Sequence, residues 1–180
     1  MHHEVFIHPG LGDSDKAHWQ SRWLDIYPDW VRVKQQDWDH PKRDVWVQQL
    51  DASLPEDASD TIVVAHSLGC LTLAHWAVTI GRPLRGALLV ALPDPELPAL
   101  KRIAPDFSPL PHSLLPFPTT IIASQNDPWG DMAFANEMAL AWGSSFVDLG
   151  EAGHINGESG LGDWPEGMNY LNDLLNHSAP

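Results

Sequence analysis

The sequence contains a single cysteine, Cys70, among its 180 residues, so no disulfide can form within one chain. Nothing therefore requires an oxidising compartment, and the favoured interpretation of Cys70 is a small buried residue, with a reactive thiol as the alternative. No apolar run approaches the roughly 20 residues that a membrane-spanning helix needs, and no basic segment followed by an apolar one marks a signal peptide. These absences predict a cytoplasmic protein without a membrane partner.

Basic residues are also scarce. The chain has 10 lysines and arginines against 24 aspartates and glutamates, which gives a formal net charge of -14. A charge of this sign repels nucleic acids over long range, so we expect no nucleic-acid partner. The hydrophobic content of 43% indicates a globular protein, and the length favours a single domain over residues 1–180. Composition gives no information on the oligomeric state.

Apolar runs rich in β-branched residues alternate with stretches of helical spacing. The predicted strands are residues 4–8, 31–35, 61–65, 85–92, 119–124 and 145–149. The predicted helices carry apolar stripes formed by Trp19, Trp23 and Ile26; by Val47, Leu50 and Leu54; by Met132, Ala135, Met138, Ala139 and Trp142; and by Met168, Leu171, Leu174 and Leu175. Continuous apolar strands are typical of a parallel sheet that is covered on both faces. The pattern predicts an α/β fold: a three-layer α/β/α sandwich with a mainly parallel, doubly wound sheet of about six strands.

Two segments carry more specific local signals. Residues 93–118 are rich in proline, which removes backbone donors and fixes φ, so we predict an ordered loop with at most a short helix. Asp163, Pro165 and Glu166 predict a helix start with Asp163 as the N-cap. Asp131 is expected to open the helix whose apolar stripe begins at Met132.

The most informative segment is the run 61–65, which leads directly into Ala65-His66-Ser67-Leu68-Gly69. An apolar strand, a small-x-Ser-x-Gly turn and a helical pattern are the layout of a nucleophile elbow, which holds the serine hydroxyl clear of the backbone. Ala65 is small enough for helix and strand to approach, and Gly69 can bring its backbone against a neighbouring strand. The alternative is that Ser67 only caps the helix.

A catalytic serine needs a base, and the base needs a partner that fixes its tautomer. On a doubly wound sheet these groups lie in loops at the carboxyl ends of strands. Asp127 follows the predicted strand 119–124 and His154 follows the strand 145–149, which gives the chain order Ser, Asp, His found in α/β-hydrolases. Each residue alone has an ordinary alternative, since Asp127 could start a turn and His154 could be merely solvated.

Other acids and histidines are weaker candidates. Asp94 follows the strand before that of Asp127 and is the alternative acid. His66 adjoins the serine but projects from the elbow at the wrong place for a base. His112 lies in the proline-rich segment and His75 lies within the helix after the elbow, so neither follows a strand end.

An acyl-transfer serine also requires donors for the developing oxyanion. We assign one donor to the backbone N–H of Leu68 and the second to the N–H of Leu11, where Gly10 and Gly12 permit the turn. The same glycines begin like a dinucleotide-binding fingerprint. The third glycine of that pattern would fall at Asp15, so we exclude a nucleotide loop.

No metal and no cofactor are expected. The histidines are scattered, without a His-Glu-x-x-His pattern or a Cys/His cluster. Asp37, Asp39 and His40 could hold a metal on paper, but adjacent residues at a strand end point in different directions, which disfavours a site there.

Taken together, these residues resemble the small single-domain serine hydrolases of the α/β-hydrolase superfamily typified by retinoblastoma-binding protein nine and its bacterial relatives. The resemblance covers nearly the whole chain, and its most specific block is the C-terminal one. Its motifs are His8-Pro9-Gly10 with His18-Trp19, Asp37-Trp38 with Pro41, Ala65-His66-Ser67-Leu68-Gly69, Ser124-x-x-Asp127-Pro128, Gly153-His154-Ile155-Asn156, Ser159-Gly160-Leu161-Gly162 and Trp164-Pro165-Glu166-Gly167.

The resemblance implies a minimal α/β-hydrolase fold, with no N-terminal antiparallel hairpin and no cap domain, and a triad of Ser67, Asp127 and His154. It implies no particular substrate, although esterase or peptidase-like activity is known for some members. The partner-binding motif of the human relative, of the Leu-x-Cys-x-Glu type, has no match in this sequence, so that partner is not expected here.

Sequence and resemblance together predict a serine hydrolase that cleaves a small ester, thioester or amide through an acyl-enzyme intermediate. Carboxylesterase-like activity is favoured, amidase or peptidase-like activity is a variant, and acyl transfer to an acceptor other than water would use the same residues. The alternative from another class is a catalytically weak or inactive protein of this fold that binds a protein partner. Trp19, Trp129 and Trp164 are candidates for the pocket, with core packing as their alternative.

Overall fold

The computed structural model describes residues 4–177. Six strands form one sheet in the order β2-β1-β3-β4-β5-β6, and every neighbouring pair is parallel. The strands are β1 (Glu4–His8), β2 (Val31–Arg32), β3 (Thr61–His66), β4 (Gly86–Val90), β5 (Thr119–Ala123) and β6 (Ser145–Asp148). The helices are α1 (Trp19–Ile26), α2 (Arg43–Ser53), α3 (Leu68–Thr79), α4 (Pro98–Ile103), α5 (Met132–Trp142) and α6 (Pro165–His177).

Helices cover both faces of the sheet because the central strands are apolar on both sides. Every residue of β3 and β4 is buried. On one face, α2 to α5 pack against the sheet around a core that includes Trp46 and Trp142. On the other face, α1 and α6 enclose a second core that includes Trp23 and Leu171. The predicted three-layer α/β/α sandwich with a parallel sheet of six strands is therefore confirmed.

The strand order creates a topological switch point between β1 and β3. From β1 the chain moves outward to β2, and it then returns to β3 and continues in the other direction to β6. Helix α1 follows β1 on one face, whereas α3 follows β3 on the opposite face. The chain therefore leaves β1 and β3 toward opposite faces of the sheet, and such a switch point at the carboxyl end is where ligands bind in open α/β folds.

Three local predictions need correction. β2 pairs with β1 at two positions only, instead of extending over residues 31–35: the Val33 N–H still donates to the Ile7 carbonyl at 2.8 Å, and β1 itself ends at His8. Ile26 is 48% exposed and not part of the core stripe, because α1 ends at this residue. Helix α6 begins at Pro165, so Asp163 lies one residue too early to be its N-cap, and its carboxylate pairs with Arg22.

Two further local predictions agree with the structure. The proline-rich residues 93–118 form an ordered segment that contains the short helix α4 and a 3₁₀ turn, Pro105–Phe107. Asp131 is the N-cap of α5, where its side chain accepts from the N–H of Phe134. Within residues 4–177, no helix is long and apolar enough to cross a membrane.

Candidate active site

Ser67 lies in a strained turn between β3 and α3. Its backbone has φ 53° and ψ -125°, and a positive φ is uncommon for a residue that has a Cβ. Two backbone bonds hold this conformation: the Ser67 N–H donates to the carbonyl of Val90 at 2.9 Å, and the Ser67 carbonyl accepts from the N–H of Cys70 at 2.8 Å. Such strain costs on the order of 1–3 kcal/mol and clusters at active sites. The turn has the geometry of a nucleophile elbow.

Cys70 follows in the first turn of α3 and is fully buried, as predicted. Its Sγ lies 3.4 Å from the carbonyl oxygen of Val90. Burial raises the pKa of the Cys70 thiol far above its usual range. Because the thiolate is the reactive form of cysteine, this thiol does not compete with the serine as a nucleophile.

Two glycines allow the loop after β1 to lie against the elbow. A Cβ at Gly69 would be 2.6 Å from the carbonyl oxygen of His8 and 2.7 Å from that of Pro9. A Cβ at Gly10 would be 2.8 Å from the Cβ of Ser67. Non-bonded carbon atoms prefer separations of about 3.5–4.0 Å, so a residue without a side chain is required at both places.

The structure brings Ser67, Asp127 and His154 together from three loops at the carboxyl end of the sheet. Ser67 Oγ lies 2.8 Å from His154 Nε2, and His154 Nδ1 lies 2.9 Å from each carboxylate oxygen of Asp127. The side chains of His154 and Asp127 are 13% and 2% exposed. Because a carboxylate only accepts, Nδ1 carries the proton, and Nε2 is free to accept from the serine hydroxyl. This arrangement can take a proton from Ser67 and stabilise the imidazolium that results.

Asn126 and Ser124 tie the loop after β5 to the loop after β6. Asn126 Oδ1 accepts from the N–H of Gly153 at 2.7 Å and from the Ser124 hydroxyl at 3.0 Å. The Ser124 hydroxyl oxygen accepts in turn from the N–H of Ala152 at 2.9 Å. These bonds hold the loop that carries Asp127 (the acid loop) against the loop that carries His154 (the histidine loop). The sequence analysis missed Asn126, for which the available signal was an asparagine beside the predicted acid in a turn.

Two buried histidines support the backbone around the elbow. His66 Nε2 donates to the backbone carbonyl of His154 at 2.9 Å, and burial holds the pKa of His66 well below its usual range. His8 Nδ1 donates to the carbonyl of Pro9 at 2.8 Å, and burial lowers the pKa of His8 to about 4. Both imidazoles are therefore neutral at pH 7. The ring of His66 bonds to the backbone of the histidine loop, which agrees with its exclusion as a base.

A pocket of about 530 Å³ is lined by Ser67 and His154. Of the three tryptophans predicted for a pocket, Trp129 lines it, with its ring centroid 6.4 Å from that of His154. The placement of the other two in the pocket is wrong. Trp19 and Trp164 are 1% and 2% exposed and pack against each other in the core between α1 and α6, because large aromatic rings on helices that face a sheet bury their area there.

The two residues predicted to supply oxyanion donors, Leu11 and Leu68, both line the pocket. Leu68 is the first residue of α3, so its N–H has no acceptor within the helix. Leu11 lies in a turn closed by the Asp13 N–H, which donates to the Gly10 carbonyl at 3.2 Å, and Gly12 has φ 74° in this turn. Among the described residues, the N–H groups of Leu11 and Leu68 donate to no backbone carbonyl in a turn, a loop or a helix cap.

The weaker candidates make other contacts. Asp94 Oδ1 accepts from the N–H of Glu96 at 2.8 Å, within its own turn. His75 Nε2 donates to the carbonyl of Phe107 at 2.9 Å. In the part of the chain that the structure describes, no group of three or more histidine, cysteine, aspartate or glutamate side chains could hold a metal ion, and this includes residues 37–40.

The fold and the site geometry are those of a small α/β-hydrolase-fold protein, with a parallel six-stranded sheet and a strained serine after its third strand. The family model for serine hydrolases matches residues 5–173, so the chain belongs to this family of serine hydrolases. A solved structure described as a YdeN-like hydrolase from Pectobacterium atrosepticum is 34% identical in sequence. The match covers 98% of this chain and 92% of that chain, with a TM-score of 0.86.

More distant structures share the fold. The ydeN gene product of B. subtilis is 20% identical over 97% of this chain and 100% of that chain, with a TM-score of 0.82. The RedJ thioesterase of the prodiginine biosynthetic pathway in Streptomyces coelicolor is 16% identical over 96% of this chain and 86% of that chain, with a TM-score of 0.64. No curated protein matches this chain in sequence.

Proposed function

We propose that the protein hydrolyses a small ester or thioester, with amides as slower substrates, through an acyl-enzyme on Ser67. Ser67 Oγ attacks the substrate carbonyl carbon while His154 Nε2 takes the hydroxyl proton. His154 then gives this proton to the leaving group as the bond to the carbonyl carbon breaks. A water molecule attacks the acyl-enzyme, its proton passes to His154, and the acid departs as Ser67 recovers its proton.

The observation that carries the proposal is the continuous hydrogen-bond chain from Ser67 Oγ through the His154 imidazole to the Asp127 carboxylate. In this proposal Asp127 orients the imidazole and stabilises its positive charge. The N–H groups of Leu68 and Leu11 stabilise the oxyanion of the tetrahedral intermediate. The reaction needs no group besides these.

The shape of the pocket supports a small substrate. Its volume of about 530 Å³ is in the ordinary range for small-molecule sites. Its walls come from loops at the carboxyl end of the sheet and from Leu100 of α4. Among the structures that share the fold, one is described as a thioesterase and another, from Rhodococcus sp. ECU1013, as an esterase, which favours oxygen and sulfur esters in the proposal.

Covalent labelling tests the proposal directly. A fluorophosphonate probe is expected to label the wild type, and Ser67→Ala should show no labelling, because only an activated serine hydroxyl displaces the fluoride. Gel fluorescence and intact mass spectrometry measure the modification. Ser53→Ala is the matched control, since the Ser53 hydroxyl only donates to the Gln49 carbonyl within α2, and it should be labelled like the wild type.

Two results would contradict the proposal. Equal labelling of the wild type and Ser67→Ala would remove Ser67 from its role as nucleophile. No labelling of the wild type, together with no turnover of short-chain p-nitrophenyl esters, would favour a binding function that uses the same fold.

The loop contacts of Asn126 lead to a separate prediction. Asn126→Ala is expected to lower kcat/KM for p-nitrophenyl acetate by about ten-fold, because two donors lose their acceptor and the histidine loop is no longer held against the acid loop. Steady-state kinetics measure the effect. Gln125→Ala is the control on the same loop, because its side chain bonds the exposed Asp148 carboxylate instead. A loss of the same size in both variants would argue against a specific role for Asn126.

A further inference from the structure

His18 is a histidine in the pocket wall that the proposed reaction does not use. It is 4% exposed and lines the same pocket as Ser67 and His154. Its ring packs edge-on against that of His66, with the centroids 4.6 Å apart. The residue thus lines the same pocket as the reacting groups without belonging to the hydrogen-bond chain that runs from the serine to the acid.

The hydrogen bonds of His18 define its tautomer. His18 is the N-cap of α1, and its Nδ1 accepts from the backbone N–H of Gln20 at 3.1 Å. Burial lowers the pKa of His18 to about 4, although the nearby Asp15 raises it, so the ring is neutral at pH 7. A neutral imidazole whose Nδ1 accepts must carry its proton on Nε2.

This Nε2–H donor is buried and has no acceptor in the described part of the protein. A buried donor without a partner is costly, and native structures rarely keep one without a reason. Rotation of the ring would break the bond between Nδ1 and the Gln20 N–H, and α1 would lose its N-cap, so the ring orientation is fixed. The geometry therefore fixes one neutral, unpartnered donor on a residue that lines the pocket.

The charges around the pocket indicate what kind of acceptor it suits. Asp13, Asp15 and Glu158 line the pocket, and no lysine or arginine is among its described lining residues. Asp13 is paired with Arg32 at 2.5 Å, whereas Asp15 and Glu158 are exposed at the rim. A carboxylate or phosphate on the substrate would be repelled by the acidic rim. An uncharged oxygen would not be repelled.

We infer that His18 is a specificity-determining residue that donates from Nε2 to a second, uncharged oxygen of the substrate. This oxygen is an ether, hydroxyl or carbonyl oxygen in addition to those of the bond that is cleaved. The inference rests on the proposed function, because it assigns a preference among substrates of that reaction. Esters with such an oxygen are accordingly better substrates than hydrocarbon esters of the same shape.

Matched ester pairs test the inference on either side of the scissile bond. On the acyl side, p-nitrophenyl methoxyacetate is compared with p-nitrophenyl butanoate. On the leaving-group side, 2-methoxyethyl butanoate is compared with n-butyl butanoate. Each pair differs by one oxygen in place of a methylene group. The preference is the kcat/KM of the oxygen-bearing ester divided by that of its hydrocarbon partner. When the preference of the wild type is divided by that of a variant, the difference in intrinsic reactivity between the two esters cancels.

Two substitutions separate the roles of the two ring nitrogens. His18→Asn keeps an acceptor for the Gln20 N–H, as a good N-cap residue, but its side chain is too short to place a donor at the position of Nε2. It is expected to lower the preference about ten-fold in at least one pair, which corresponds to the loss of one hydrogen bond. His18→Gln places an amide N–H near the position of Nε2 and should retain most of the preference, while thermal unfolding reports the loss of the cap.

A spectroscopic measurement gives the second test, on protein that keeps His18. In Ser67→Ala with ¹⁵N-labelled histidine, the Nε2–H resonance of His18 should move downfield with the oxygen-bearing ester and not with its hydrocarbon partner. A preference within about two-fold of wild type for both ester pairs in His18→Asn, or an unmoved resonance, overturns the inference. Fluorophosphonate labelling of the wild type distinguishes this result from failure of the proposed function, which would abolish labelling as well.

Discussion

His154→Ala is expected to lower kcat for short-chain p-nitrophenyl esters by about 10⁵-fold, as loss of a triad base does in serine hydrolases. The imidazole is the only ring placed 2.8 Å from Ser67 Oγ among the described residues, so without it the hydroxyl has no group to take its proton. Single-turnover kinetics with a chromogenic ester would measure the acylation step. KM should change far less than kcat, because the ring acts mainly in the transition state.

His112→Ala is the matched control for this experiment. His112 is an exposed loop histidine that does not line the pocket, and its replacement should leave kcat within about two-fold of wild type. If His154→Ala retained more than roughly a hundredth of the wild-type kcat, another base would have to serve Ser67. His66 would not be a suitable substitute, since its Nε2 already donates to the His154 carbonyl.

Gly69→Ala is expected to destabilise the protein by about 4 kcal/mol, one of the larger effects of a single methyl group. The added carbon would lie 2.6 Å and 2.7 Å from two backbone carbonyl oxygens, those of His8 and Pro9, and neither can move without shifting β1 or its loop. Thermal unfolding should show a fall in Tm of about 10 °C. Because the displaced loop carries Leu11, labelling of Ser67 by fluorophosphonate should also slow.

Gly12→Ala is the control for adding a methyl group to the same region. A Cβ there meets no atom within 4 Å, so the cost comes only from the backbone at φ 74° and should be about 1–2 kcal/mol. A Gly69→Ala variant that is no less stable than Gly12→Ala would show that α3 and β1 do not need their close approach.

Much of the site follows from the order of residues along the chain. Strand ends in a parallel sheet meet at one edge, so a serine, an acid and a histidine that each follow a strand are predictable neighbours. Ser67, Asp127 and His154 meet this condition, and the structure brings them within hydrogen-bonding distance. The fold was predictable for the same reason, because the buried strands are continuous apolar runs and the helices between them keep regular apolar spacing.

What could not be predicted depends on contacts between distant segments. The amphipathic spacing of Trp19 fits both a pocket wall and a core, and only the packing of Trp164 from the far end of the chain decides for the core. Asn126 acquires its role from the N–H of Gly153, which lies on another loop. His18 becomes notable only when the structure shows that one ring nitrogen is bonded and the other is not.

The buried thiol of Cys70 has a practical consequence for experiments on this protein. Its sulfur is shielded within α3, and burial keeps it protonated, so alkylating reagents find no reactive thiol in the native chain. A cysteine introduced at an exposed rim position such as Glu158 would then be the sole attachment point for a maleimide dye. Pocket occupancy can therefore be followed by the fluorescence of this dye, and the native cysteine need not be removed first.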